Sequence, residues 1–229
     1  MPQVSDVSAP APRKRGRPPR AIEPDAVVDA VERLFAEGGI DAVTIERTAA
    51  ELGVSRATLY RTVPSKAHLL GLHFVRMTRE LDRAARQATA TRGTTPRDRL
   101  MGLIRVQIQA AVAMRDYFFV YFDGSQLPRP VYDDWRRWAD DYERVWIKTV
   151  GDTIRAGDLS AGDPLLTTRL ILGTTIWVAN WFRPREGFTA AAIEDRTLEL
   201  LGLAPPPPPR RPRAPARPTA RAPKTPSSG

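Results

Sequence analysis

The seven residues "SRATLYR", Ser55 to Arg61, concentrate side chains suited to nucleic-acid contact. On a helix, Arg56 can bond guanine edges or phosphate, Thr58 can meet a base edge or a thymine methyl, and Ala57 leaves room for close approach. Tyr60 and Arg61 can reach phosphates, as can backbone N–H groups at Thr44 and at Ser65–Lys66. The bland alternative is a helical hairpin in a bundle, where Thr58 and Tyr60 only pack. A second candidate is "RKRGRPPR", Arg13 to Arg20. At its centre Gly16 lets the backbone lie deep in a minor groove, and Pro18 holds Arg17 extended. Arg15 and Arg17 can then point along a narrow A-tract floor, where the negative potential is strongest. The competing reading is a solvated basic leader that keeps the chain soluble.

Other chemistry finds less support. His68 and His73 are five residues apart, so they point to different helix faces and make a poor metal pair. Asp133–Asp134 and Asp140–Asp141–Glu143 form acidic groups that could serve acid–base or divalent-metal work, but a solvated helix face explains them better. No serine has a plausible His–Asp partnership, and no glycine-rich loop follows a strand. The expectation is therefore no catalytic residue, no metal and no cofactor, against the rival of an α-helical enzyme using the 133–143 carboxylates.

Charge is distributed unevenly over the 229 residues. The net charge is +9, yet residues 1–20 carry +4 and residues 204–229 carry +6, leaving a body close to neutral. Basic ends around a neutral body point toward a polyanionic partner, although solubility would also account for them. There is no cysteine, which excludes disulfides and thiolate metal sites and suits a reducing cytoplasm. No apolar run follows Met1, and no apolar stretch reaches the ~20 residues needed to span a bilayer. An intracellular, nucleoid-associated protein without membrane contact is expected.

The elements that must position these groups are helical. In "PDAVVDAVERLFAEGG", Pro24 suits a first turn, Val27, Ala30, Val31, Leu34 and Phe35 recur on one face, and Gly38–Gly39 supply the stop. Thr44 caps a short segment to about Leu52, with Ile45, Ala49 and Leu52 on one face. Gly53 permits a tight turn, and Ser55 caps a second short helix through Arg61. Pro64 and Ser65 open a long helix to about Thr91. Further helices are expected at about 96–114, 116–123, 130–156, 164–182 and 189–202. No alternating strand pattern appears, so an all-α chain of about nine helices is predicted. Both ends, 1–21 and 204–229, are rich in Pro, Ala, Ser and Arg and are expected to be disordered.

A short helix pair joined by a glycine turn is the helix-turn-helix pattern, which lays its second helix in the major groove. The stretch "AVVDAVERLFAEGGIDAVTIERTAAELGVSRATLYRTVPSKAHLL" resembles the DNA-binding domain of the TetR family of bacterial transcriptional regulators. The resemblance rests on Leu34–Phe35–Ala36 with Gly38–Gly39, on Thr44 and Ala49–Ala50, and on "GVS" at 53–55, "TLY" at 58–60 and "PSK" at 64–66. "NWFRPREGFTAAAIEDRTLELL" is similar to the closing helix pair of many members. Thr62 and Val63 stand where the family usually has two aromatics before the proline, and Thr48 stands where an aliphatic is common. Arg15–Gly16–Arg17–Pro18 resembles the core of an AT-hook.

The resemblance implies a helix-turn-helix domain at 22–68 and a helical ligand-binding and dimerisation domain at 69–203. It implies double-stranded operator DNA, a small hydrophobic effector and a second copy of the chain as partners. Phe118, Phe119, Phe122, Trp135, Trp138, Tyr142, Trp146 and Trp177 are then candidates to wall an effector cavity, while core packing is the alternative for such an aromatic stripe. Leu170, Gly173, Thr174, Trp177, Trp181 and Leu198 are candidates for an isologous dimer face, with burial inside one chain as the alternative. The functional expectation is a sequence-specific regulator, a repressor released from a palindromic operator by the effector. The alternative is a structural protein that coats AT-rich DNA without sensing a ligand. Deleting residues 1–20 tests the arm: the salt dependence of DNA binding should flatten by ~0.9 log unit for each phosphate that the arm neutralises, and an unchanged slope leaves the arm a solubilising leader.

Overall fold

A computed structural model of the chain describes residues 22–117 and 127–203. Every regular element there is helical, and no strand occurs among the described residues. The expected basic arm, the 204–229 tail and most of the helix expected over 116–123 fall outside these residues.

Helix α1, Pro24–Ala42, begins with Pro24 in its first turn and Asp25 near its positive end. Val27, Val28, Ala30, Val31, Leu34 and Phe35 form its buried stripe. The glycine pair ends the regular run of this helix, as expected. Gly38 and Gly39 leave helical geometry, Gly39 with φ of 64°, and the chain then takes one more turn to Ala42. Helix α2, Ile45–Glu51, is capped by Thr44, whose Oγ1 accepts from the Arg47 N–H at 3.1 Å. Gly53, with φ of 63°, makes the turn, a left-handed backbone that glycine adopts without steric cost. Helix α3, Arg56–Thr62, follows, with Ser55 Oγ accepting from the Thr58 N–H at 3.1 Å.

The longest connections are made by α4, Lys66–Ala90, and α5, Pro96–Met114. At ~1.5 Å per residue, α4 is about 37 Å long. Thr95 and Asp98 close a capping box on α5, and the hydrogen bonds from Thr95 hold the Asp98 carboxyl below its usual range. Then come α6 (Arg129–Arg155), α7 (Pro164–Ile176), α8 (Val178–Trp181), a 3-10 turn (Pro184–Glu186) and α9 (Ala190–Leu200). The single helix expected over 164–182 is divided at Trp177. Its backbone stays helical, with φ −63° and ψ −15°, but the Asn180 N–H bonds the Trp177 carbonyl and tightens the turn.

Helix α5 is the hub: it packs against α4, α6, α7, α8 and α9. Leu100, Leu103, Ile104 and Ile108 on it are fully buried. Close packing against α4 depends on small residues, since a Cβ added at Gly102 would stand 3.2 Å from that of Ala88. Buried apolar residues form two clusters. One joins α1, α2, α3 and the first third of α4, down to Phe74; the other is built on α5, α6, α7, α8 and α9. Helix α4 contributes to both, through Leu69, Leu70 and Phe74 to the first and Ala85 to the second.

Within the first cluster Val63 is buried, so the smaller side chain before Pro64 still fills its place. Thr48 is also fully buried, and its Oγ1 has no hydrogen-bond partner among the described residues. A buried hydroxyl without a partner costs about 1–3 kcal/mol, and valine has nearly the same shape. Thr48→Val should therefore stabilise the fold by an amount within that range, seen as a rise of a few degrees in the thermal unfolding midpoint. An unchanged or lower midpoint would mean that the hydroxyl is satisfied in solution.

Candidate nucleic-acid interface and apolar cavity

Three contacts hold α2 and α3 against their supports. Arg33 Nε on α1 pairs with Glu51 of α2 at 2.6 Å, and Arg47 of α2 pairs with Glu37 at 2.6 Å. Leu59, fully buried, anchors the inner side of α3. Its other side is left to solvent: Ser55, Arg56, Ala57, Tyr60, Arg61 and Thr62 are all exposed. Thr58 is half-buried, and its hydroxyl shares a 2.7 Å hydrogen bond with Ser55 Oγ. This bond commits part of its hydrogen-bonding capacity to the cap.

The exposed face carries two arginines and no acid. Arg56 Nη2 lies 3.2 Å from Glu46 Oε1 on α2, a pair with both side chains at least half exposed. Such pairs contribute little, so a phosphate or a guanine edge can displace the carboxylate at low cost. Thr44 is engaged as the α2 cap. Lys66 was expected to offer its backbone N–H to phosphate; its side chain is engaged elsewhere, Nζ donating to the Ile40 carbonyl at 2.6 Å from a partly buried position. It ties the start of α4 to the short turn that follows Gly38–Gly39. Arg15, Gly16, Arg17 and Pro18 lie outside the described residues.

A junction connects this unit to the second core. Tyr117, just past α5, packs on Phe35 of α1 at 3.9 Å between ring centres and on His73 of α4 at 4.5 Å. Burial, with help from the Arg76 charge, pushes the His73 pKa down to about 4, so the ring is neutral at neutral pH. Burial pushes the Tyr117 phenol up to about 12. Arg76 braces the same place, bonded to Asp29 and lying 3.8 Å from Glu32.

Beside the junction, α4, α5, α6, α7 and α8 line a half-open cavity of about 430 Å³. The tryptophan stripe of α6 meets it only in part. Trp135 packs on Phe74 at 6.3 Å, and Trp138 stacks on Tyr142 at 5.1 Å; these three α6 residues line the cavity. Trp146 does not: it is fully buried in the core, one turn too far along α6. Trp177 does not either, since it is half exposed on the outside of the helix pair α7–α8. Phe118, Phe119 and Phe122 lie outside the described residues.

Several lining residues escaped the sequence reading, among them Phe74, Leu81, Gln107, Met114, Leu172 and Ile176. Gln107 had a signal, a lone amide on the apolar stripe Leu103–Ile104–Ile108–Ala111. It is buried, and its Oε1 accepts from the Tyr142 hydroxyl at 2.9 Å. Burial raises the Tyr142 phenol to about 12, which keeps that proton in place at any physiological pH.

The outer face of α7 and α8 is apolar and exposed. Leu166 and Leu170 are 60% and 64% exposed, Trp177 50% and Trp181 40%, with Gly173 and Thr174 exposed between them. Leu200 of α9, 71% exposed, shares this character. Leu198, expected on the same face, is instead 1% exposed in the chain's own core, because α9 turns that side toward α5. The acidic residues of α6 are largely paired: Asp133 with Arg129, Asp134 with Arg137, Asp141 with Arg144, and Glu143 with Arg169 of α7. No group of three potential metal ligands exists among the described residues, and no described helix is long and apolar enough to cross a membrane.

Two family models match the sequence. Residues 27–71 match that of the bacterial regulatory proteins of the tetR family, and residues 93–202 match that of a tetracyclin repressor-like C-terminal domain. A search of curated proteins gave no match. Among solved structures, a TetR/AcrR-family transcriptional regulator from Thermobifida fusca superposes with a TM-score of 0.69 at 19% identity, over 78% of this chain and 96% of that one. The ketosteroid transcriptional regulator KstR2 of Mycobacterium tuberculosis gives 0.63 at 20% identity, over 80% and 95%. AibR in complex with isovaleryl coenzyme A and operator DNA gives 0.66 at 18% identity, over 79% and 98%. At these identities the likeness speaks for the fold.

Proposed function

This chain belongs to the TetR family of bacterial regulatory proteins, and on that premise we propose that it is a dimeric repressor released from a palindromic operator by a small, mostly apolar effector. The observation that carries the reading is the double duty of α4. Its first third packs into the same core as the exposed α3, while Phe74 and Leu81 further along it line the cavity. A ligand that needs those two side chains elsewhere favours a different setting of α4 and hence of α3. The response is a population shift, as large as the ligand's preference for one setting over the other.

The exposed stripe from Leu166 to Trp181, with Leu200, is the dimer face in this reading. An apolar surface of that extent is uncommon on a monomer, and a two-fold contact would cover it with its own copy. Two copies set two α3 helices one helical turn of DNA apart, ~34–36 Å, and effector binding spoils that spacing. The coating alternative leaves both the cavity and this face without a role.

Two sets of variants test the assignment on an operator selected from a random-sequence duplex pool. Arg56→Ala and Tyr60→Phe should fold normally and lose operator affinity, about fivefold to a hundredfold for an arginine that reads a base. Full affinity in both by gel shift would remove Ser55–Arg61 as the reading helix. Leu170→Glu should sediment as a monomer and lose operator binding with it. A dimer unchanged by that charge would place the interface elsewhere.

A further inference from the structure

The charges at the cavity wall are of one sign. Among the described lining residues the groups charged at neutral pH are Asp140 and Glu143, both on α6, and no lysine, arginine or histidine joins them. The two carboxylates differ in state. Glu143 is matched by Arg169, whose Nε lies 2.9 Å and Nη2 3.5 Å from its two oxygens. Asp140 has no ion pair among the described residues. Asp133, Asp134, Asp141 and Asp152 on the same helix each have a basic partner. Arg136, one turn before Asp140, could have taken it in an i,i+4 pair, but the two do not meet.

The indole faces and the phenol oxygen of the wall suit a positive charge, while the buried Trp138 Nε1–H, without a partner among the described residues, is a donor that suits an acceptor. Trp135 and Trp138 stand on the same helix within two turns of Asp140, and indole faces attract cations more strongly than other rings do. The Tyr142 hydroxyl proton is committed to Gln107, so what the phenol oxygen offers a ligand is lone-pair density. The indole faces, the phenol oxygen and the carboxylates favour a donor or a cation and disfavour an anion. A carboxylate or phosphate would have to sit beside Asp140 and Glu143, with Arg169 already engaged by Glu143 and no basic group among the described lining residues.

We propose that the cavity takes a lipophilic organic cation, its apolar body against Trp135, Trp138 and Leu172 and its positive charge at Asp140. The volume of about 430 Å³ suits a compact drug-sized molecule. The inference rests on the reading of the cavity as the effector site and narrows it to a chemical class. It separates this chain from AibR, whose complex holds an acyl coenzyme A.

A matched set of probes tests it by isothermal titration calorimetry on the full-length dimer: 1-naphthylmethylammonium, the neutral 1-naphthylmethanol, and 1-naphthoate. The cation should bind most tightly and the carboxylate least. Asp140→Asn should weaken the cation about threefold to tenfold while leaving the alcohol within twofold. Asp140→Lys should reverse the order and favour naphthoate. The proposal is overturned if naphthoate equals the cation on the unsubstituted protein, if both substitutions leave the order unchanged, or if none of the three probes binds. Gel shifts with the selected operator keep the two readings apart. Naphthoate binding that releases DNA retains the effector reading and ends the cation proposal, whereas cation binding that leaves DNA bound does the reverse.

Discussion

Phe74 and Leu81 lie two turns apart on α4, and between them they commit one rigid helix to two different cores. Leu69 and Leu70 are packed among α1, α2 and α3, so the start of α4 cannot move without carrying α3 along. Further on, Ala85 and Ala88 are held against α5, where the close approach at Gly102 leaves no slack. The lining residues lie between these fixed ends. In the proposed mechanism a helix of 25 residues clamped in this way would convert a small displacement in its middle into a rotation at its end, because close-packed interiors shift between discrete arrangements instead of deforming smoothly.

Tyr117 makes a second link across the same boundary. Its backbone N–H bonds the carbonyl of Met114, which lines the cavity, while its ring is set between Phe35 and His73. In the proposed mechanism, filling the cavity would bear on α1 through α5 as well as through α4. Neutral His73 suits this place, since a charged imidazole there would be desolvated beside Arg76. The surrounding ion pairs of Arg76 with Asp29, Glu32 and Glu80 are on the solvent side, where they orient more than they stabilise.

The α6 stripe shows how far periodicity reaches. Trp135, Trp138, Tyr142 and Trp146 are spaced to share one helical face, and they do share it. What that face meets changes along its length: first Phe74 and the reading-head core, then open cavity, then solid packing around Trp146. A stripe records that a face is covered, and says nothing of whether it is covered by protein or by space for a ligand. The same limit applies to Leu198 and Leu200, two residues apart on α9, of which one is core and the other surface.

Local rules were enough for the helices and their ends. Thr44, Ser55 and Ser65 cap where their side chains can reach a free N–H, Pro96 and Pro164 occupy first turns, and Gly53 turns where φ must be positive, so the helix-turn-helix and its exposed arginines were legible residue by residue. Each of these depends on atoms within four residues along the chain. The extra turn beyond Gly38–Gly39 was not legible, because it is secured by Lys66, 26 residues further on. Nor was the pairing of Gln107 with Tyr142, which spans 35 residues, or the unmatched carboxylate of Asp140, which stands out only once its neighbours have found their arginines. Sequence by itself determined which surfaces could read DNA and which faces had to be covered. Tertiary packing decided what covers them, because a cavity and its charge are properties of helices brought together from distant parts of the chain.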